Sequence, residues 1–556
     1  MIQEKLYMNV SDRYSFLLLA CLLLFMQQAG AKRVTERKAV ESARMFLANL
    51  QGKSIENFPE MSVVRKNARY YLVSGRNGWC VVNATDDSPT VLGYSDSGSI
   101  DPDNLPPAMK EWLERYAQAK SSAITDTGDW QPIAPMLKTA WGQRAPYNLM
   151  TPLVPNADST AFDHAPTGCG ATAVAQVMYY HRWPENNTAS IPVYDQINYD
   201  SITAVLPPTR FQWELMKESY EPTDTSSSAK ALAELMKYVG EGIRMYYDYN
   251  GSGTTIFRIV NSMIILFDYS SDIAVPRPLE YNEMTGRPLQ LIFPQLLYRE
   301  LEKGNPAVLT GFLNPINYGH FFVCDGYAGN GYFHFNWGWD GNGNGNFLYD
   351  DIQVDYKGEP QKASVAQLIT NLEPSYKLPQ PRFVIGSIKT PTAVIKRDNL
   401  TEDFILSASV NSYSYLPECI DMDAGLALYD NDRLVLLLDS IRLNSCQFPV
   451  YDCSDMHVTA SVNDGVYQLK AVSKPADSQT WYPDANSDLF YITVRIQGLE
   501  LRLEPASADI LSVPDVKAIS VIGNDRIYDL QGRRLTTEPK RGVYIKGGKL
   551  RVKSGM

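Results

Sequence analysis

The chain has 556 residues, of which 44% are apolar and 20% charged, enough for about three or four globular domains with full cores. Its net charge is −11 and its pI about 5.2, with no large basic patch, which argues against nucleic acid as the main partner. The seven cysteines are scattered without metal-ligand spacing, so neither a metal site nor a disulfide framework is implied; one bridge among Cys419, Cys446 and Cys453 stays open.

At the N-terminus, Lys5 and Arg13 accompany an apolar run from Ser15 to Met26, and Ala29-Gly30-Ala31 supplies small residues for cleavage. Residues 1–31 therefore read as an export signal, since the run is short for a membrane span. Two alternatives are an uncleaved anchor and lipidation at Cys21. The second is disfavoured because apolar residues continue beyond the cysteine.

Residues 32–124 predict a small α+β unit. Val40, Ala43, Phe46, Leu47 and Leu50 recur at helical spacing. Tyr70 to Ser74 and Trp79 to Val82 read as strands. Pro106-Pro107 opens a second helix through Glu111, Trp112 and Tyr116, with proline in its tolerated first turn. The small, polar stretch 117–130 is a linker open to proteolytic nicking.

The longest unit is 125–373. Helix patterns come first, at 169–182, 228–243 and 288–303. Strand patterns follow near 306–312, 320–327, 331–336 and 346–349. Helices followed by strands suggest a two-lobed α+β domain. A proline-rich linker occupies 374–381. Short alternating strands over 382–505 suggest a β-sandwich, and 506–556 ends in a small β tail.

Cys169 lies between Gly168 and Gly170 at the start of a helix pattern that Trp183-Pro184 ends. A helix N-terminus favours the nucleophilic thiolate, and the glycines leave room for a substrate backbone; the plain alternative is a buried structural cysteine. Five histidines could serve as base. His457 lies in the sandwich region. His181 is about 18 Å along the helix from the thiol, and His164 is on the entry loop. His334 sits among aromatics as a packed strand residue. His320 opens the strand Phe321-Phe322-Val323 at a cleft edge, about 150 residues after Cys169, near the upper end of the spacing in papain-like peptidases. Asn336 follows by one hairpin and could fix the imidazole, as asparagine does in some Cys–His enzymes. Trp337 could cover the pair, whereas Trp339 reads as core packing. The glycine-rich turn 340–345 could mimic a calcium loop but has a single carboxylate, so it reads as a flexible active-site loop with metal the minor alternative. Gln143 could join the Cys169 amide in holding an oxyanion.

Taken together, Trp141-Gly142-Gln143 with Pro146-Tyr147-Asn148, TGCGATAVAQVMYYHRWP (167–184), GHFFVCDGY (319–327) and YFHFNWGWDG (332–341) resemble the streptopain family of papain-like cysteine peptidases, in the family's order. The resemblance implies a papain-like two-lobed domain. Its site would hold a Cys169/His320 dyad, Gln143 in the oxyanion hole, and Asn336 and Trp337 supporting the histidine. Gly319 and the 250–254 loop, with Ser252 and Thr254, would bind substrate. No cofactor is implied. Residues 32–124 resemble the family's inhibitory propeptide, expected to fold as its own unit and block the cleft. Phe321 departs from the family's small residue after the histidine.

The expected partners are protein or peptide substrates and the chain's own propeptide. The tail resembles C-terminal segments of exported proteins of Gram-negative anaerobes, which leaves cell-surface association open. Two other classes compete: a silent binding or adhesion protein on this scaffold, and a thiol acyltransferase using the same dyad.

Overall fold

In the computed structural model, the described residues are 32–505, less 87–89, 119–129, 159, 196–201, 203, 271–272, 274–279, 283–286, 290–292, 312–319, 350–351, 357–358, 364–365, 377–380, 414–419, 446–449, 486 and 488–489, together with four short strands of the tail. Residues 1–31, read from sequence as an export signal, and 119–129 of the 117–130 linker thus lie outside them, while 117 and 118 belong to a helix. The fold is α+β, and 507–556 forms a second unit apart from the first.

The N-terminal domain begins with α1 (Glu36–Leu50). Thr35 caps it by accepting the Lys38 amide, and Glu36 complements the dipole of the first turn. Ala39, Ala43, Leu47 and Ala48 form its buried stripe. Leu50, assigned to that face from spacing, is 46% exposed, because the stripe turns through Ala39 and Ala43 instead. Strands β1 (Ser62–Lys66), β2 (Tyr70–Gly75), β3 (Gly78–Asn83) and β4 (Val91–Ser95) follow as an antiparallel meander. Next comes α2 (Pro107–Gln118), which buries Met109, Trp112 and Leu113.

In the peptidase-like region, β5 (Leu153–Pro155) and β6 (Phe162–His164) make a hairpin before α3 (Cys169–His181). Gly170 to Tyr179 are all buried, so α3 is a core helix with no solvent face. Ser226 caps α4 (Ser227–Gly242). Helix α5 (Ile256–Leu266), capped by Thr255, carries five β-branched residues in the stretch IFRIVNSMIIL, and its all-round apolarity blurred the helical period. A small hairpin, β7 (Glu280–Asn282) and β8 (Arg287–Leu289), precedes α6 (Phe293–Glu302). The sheet then forms from β9 (Ala307–Gly311), β10 (Phe321–Gly329), β11 (Tyr332–Asn336) and β12 (Gly345–Leu348); after the hairpin β13 (Ile352–Tyr356) and β14 (Glu359–Ala363), β15 (Ala366–Ile369) completes it.

One nine-stranded sheet runs β1-β2-β3-β4-β12-β11-β10-β9-β15. The N-terminal domain has an apolar core of its own, including Ala43, Leu47, Val73 and Val82. Its sheet also joins that of the following region, because β4 pairs with β12, placing Tyr94 opposite Asn346 and Gly93 opposite Phe347. The pairing satisfies a sheet edge that either part would otherwise expose. Aromatic rings reinforce the join. Trp112 meets Phe335, Tyr349 and Phe322 at 4.9, 5.2 and 5.9 Å, and Tyr94 meets Tyr332 at 5.2 Å.

Residues 384–505 are a β-sandwich. One sheet is β16 (Val384–Lys389), β18 (Phe404–Tyr413) and β21 (Val450–Val458). The other runs β17 (Val394–Lys396), β25 (Glu500–Pro505), β24 (Ile492–Gln497), β22 (Gly465–Pro475), β19 (Asp421–Asp430), β20 (Arg433–Asn444), with β23 (Tyr482–Pro483) beside β22. Cys453 is buried and unbridged; Cys419 and Cys446 lie outside the described residues. In the second unit, β26 (Ile527–Tyr528), β27 (Arg534–Leu535), β28 (Gly542–Lys546) and β29 (Lys549–Lys553) form a sheet of order β27-β26-β28-β29. No described helix is long and apolar enough to cross a membrane.

Candidate active site

Gly168 precedes α3 with φ +84°, a conformation that disfavours any side chain. Space forbids one too: a β-carbon there would lie 2.8 Å from the Ser252 carbonyl oxygen, and one on Gly170 would lie 2.8 Å from Thr254 Cγ2. The glycines flanking Cys169 thus let the 250–254 loop close on the start of the helix. The Ser252 hydroxyl donates to the Pro166 carbonyl at 2.7 Å and the Thr254 hydroxyl to the Ile243 carbonyl at 2.6 Å. Both hydroxyls therefore hold the loop. Gly319 lies outside the described residues.

On the other side of the helix start, the Thr167 amide donates to the Gln143 carbonyl at 2.9 Å. The Thr172 hydroxyl, in the first turn of α3, lies 3.3 Å from the Gly142 carbonyl. These contacts bring Gln143 to Cys169. From the sheet, the Phe321 amide faces the Cys169 sulfur, and His320 is the residue immediately before it in the chain. Phe321, the residue that departs from the family pattern, is buried against Gly170.

Burial dominates both reactive groups. It pushes the Cys169 thiol above its ordinary pKa, opposed in part by the amides of Phe321, Gly170 and Cys169 itself. It pushes His320 below its ordinary value. Burial thus biases each group toward its neutral form, while the amides at the helix start favour the thiolate.

The other expected residues are placed as follows. The Asn336 amide nitrogen donates to the Thr139 carbonyl at 2.6 Å, and its oxygen accepts the Gly338 amide at 3.1 Å. Its side chain ties the end of β11 to the segment before Trp141 and is not spent on His320. Trp337 is buried among Phe322, Phe335 and Phe347, with its indole N–H on the Gly343 carbonyl. Trp339, read as core packing, is instead half-buried and donates to Asn104 of the N-terminal domain at 3.0 Å. The glycine-rich turn is pinned. Asn344 accepts the Trp337 amide, while Asn342 accepts the Asp101 amide at 2.9 Å and donates to the Asn104 carbonyl at 2.7 Å.

The other histidines have structural partners. His334 Nδ1 is 2.6 Å from the fully buried Asp325, whose second oxygen accepts the Leu137 amide at 2.8 Å. His164 Nδ1 is 2.6 Å from the Thr151 carbonyl. His181 contacts the Tyr269 hydroxyl, with its pKa pushed down to about 4 by burial. His457 pairs with Asp403 in the sandwich.

Residues 141–347 match the model of the Peptidase C10 family. This region is similar to Peptidase C10 domains. Residues 31–120 match the Spi protease inhibitor family, the region whose sheet the C10 domain continues. Among relatives, the thiol protease/hemagglutinin PrtT of Porphyromonas gingivalis is 26% identical over 352 residues, 57% of this chain but only 39% of that protein. Streptopain of Streptococcus pyogenes is 26% identical over 334 residues, 56% of this chain and 78% of streptopain. A fragment of Prevotella intermedia prointerpain A aligns with a TM-score of 0.46 at 24% identity, covering 57% of this chain and 99% of the fragment.

From sequence, Trp339 reads as core packing and Asp340 and Asn342 as parts of a flexible loop, whereas Trp339 and Asn342 face the N-terminal domain. Their one signal was adjacency to Asn336-Trp337, which does not disclose what each side chain faces.

Proposed function

We propose that the chain is an exported cysteine endopeptidase made as a zymogen, with Cys169 as nucleophile and His320 as base. The observation that carries this is the convergence of three segments on the start of α3: the Cys169 thiol, the Phe321 amide beside His320, and Gln143 tied through Thr167. In the reaction, Cys169 Sγ bonds to the scissile carbonyl carbon as its proton passes to His320, and the carbonyl electrons move onto oxygen. Gln143 and the Cys169 amide hold that oxyanion. Collapse breaks the C–N bond, and the leaving amine takes the proton from His320. Water, deprotonated by His320, then hydrolyses the thioester.

Residues 32–124 act in this proposal as the inhibitory propeptide. The match to an inhibitor family supports it, as do the neutral bias of the dyad and the grip of Asp101 and Asn104 on the turn after Trp339. Asn336 and Trp337 support the site by anchoring the end of β11, while Ser252, Thr254 and Gly319 belong to the substrate wall. Residues 1–31 direct export, and the C-terminal β-domains provide the means of cell-surface association.

An irreversible thiol-peptidase inhibitor tests the reading. It should label Cys169 after cleavage within 119–129 and leave the full-length chain unlabelled. Labelling of neither form would overturn the proposal. Acyl transfer to amines outpacing hydrolysis would favour an acyltransferase.

A further inference from the structure

Asp340 has no part in the proposed catalysis, yet it stands beside the segment that carries Gln143. It follows Trp339 in the glycine-rich turn with φ +52°, and its amide donates to the Trp141 carbonyl at 3.2 Å. Its carboxylate lies on the bare face of Gly142, the oxygens within 2.3 and 2.5 Å of where a β-carbon on that glycine would stand. It is therefore one residue from Gln143. Its outer face is exposed.

The Tyr147 hydroxyl is its hydrogen-bonding neighbour, and burial of the inner face pushes the carboxyl above its ordinary range. Among the described residues no lysine, arginine or histidine pairs with it. Arg144, on the far side of Gln143, is engaged elsewhere: its guanidinium donates to the Tyr249 carbonyl at 3.2 Å and lies 5.6 Å from that ring's centre. The Gln143 segment thus carries a partnered cation on one flank and an unpaired, half-desolvated carboxylate on the other. A carboxylate in that state gains most from a cation brought to it, since the desolvation is already in place.

We propose that Asp340 reads a lysine or arginine of the substrate, on the flank of the scissile bond away from the 250–254 loop. That loop packs on Gly168 and Gly170 while Asp340 packs on Gly142, so a peptide crossing Cys169 between them meets the carboxylate on the second flank only. The assignment rests on the peptidase reading above.

The test uses protein activated from the full-length chain, with internally quenched peptides carrying lysine, arginine, glutamine or glutamate at each position around the cleaved bond. The variant is Asp340→Asn, which keeps shape, and asparagine tolerates the left-handed backbone. Wild type should favour lysine or arginine over glutamine at one position on that flank by about fivefold in kcat/KM, what a half-exposed ion pair supplies. The variant should lose that preference through KM and cleave the glutamine peptide within about twofold of wild type. Wild type that labels with the thiol inhibitor and cleaves yet ignores charge overturns the assignment alone. So does a variant that loses all peptides equally through kcat, which would make Asp340 a positioning residue. Protein that neither labels nor cleaves overturns the peptidase reading along with it.

Discussion

The C10 domain has a neighbour on each side, and the two are joined to it by different chemistry. The N-terminal domain shares its sheet: β4 is hydrogen-bonded to β12, and Trp112 and Tyr94 sit edge-on to rings of the C10 strands. The β-sandwich closes on its own two sheets. It reaches the neighbouring core mainly through Val384 and Ala485 and through a proline-rich connection, where the Ser375 amide meets the Asp268 carbonyl. On the proposed function, the part that leaves is thus joined more intimately than the part that stays. A backbone cut in 119–129 breaks none of the ring contacts or ladder bonds, so cutting and release are separate events.

Mutations at the site sharpen this contrast most. Cys169→Ala should remove peptide hydrolysis by on the order of 10⁶-fold in the activated form, which lacks the N-terminal domain. Turnover of the purified variant near wild type would break the peptidase reading. Gln143→Ala should lower kcat by about 10²–10³ with little change in KM; steady-state kinetics on the activated protein decides, and a pure KM effect would make Gln143 a binding residue.

Trp112→Ala probes the join directly. Losing the ring from its pocket against Phe322, Phe335 and Tyr349 should weaken the hold by about 3–5 kcal/mol, so that the N-terminal domain dissociates after the cut. Size-exclusion chromatography of nicked wild type and variant checks it, and equal retention of the domain would mean that the ladder alone holds it.

The pH response separates latent and activated states. In the full-length chain, burial raises the thiol and lowers His320, which disfavours the thiolate and the imidazolium alike. Alkylation of Cys169 should therefore be slow at pH 5–7 before activation. Afterwards it should be fast below the ordinary thiol pKa of about 8.5, as the Cys⁻/His⁺ pair forms. His320→Ala should abolish that low-pH reactivity. If it does not, His164 becomes the candidate partner.

The smallest effect lies in the sandwich. Buried Asp484, between Ser473 at 2.6 Å and Ser412 at 3.3 Å, has its pKa raised to about 6 by burial. A carboxyl raised in the folded state favours folding when protonated, so the sandwich should gain stability as pH falls from about 7 toward 4, by up to ~3 kcal/mol. Asp484→Asn should flatten that dependence in thermal melts of the full-length chain; an unchanged slope would place the titration elsewhere.

Local pattern carried much of the architecture. The start of α3 was readable at Cys169 because glycine, small residues and Trp183-Pro184 bracket it, and the strands around His320 and Asn336 alternate cleanly. What a side chain faces across 200 residues of sequence was not readable. Trp337 and Trp339 are two residues apart on one motif, yet one fills the sheet's aromatic core and the other meets Asn104. Nothing in the spacing told them apart, because the partner comes from another domain. The same holds for the β4–β12 ladder, whose strands each look complete in sequence, and for the engagement of Asn336 with Thr139.

That ladder also bears on how the protein folds. Tyr94 and Asn346 are opposite each other but 252 positions apart in the chain. During synthesis the first four strands must wait for β12 with one edge bare, and contacts of such long range form slowly. Until they form, β4 is a template for any extended segment that meets it.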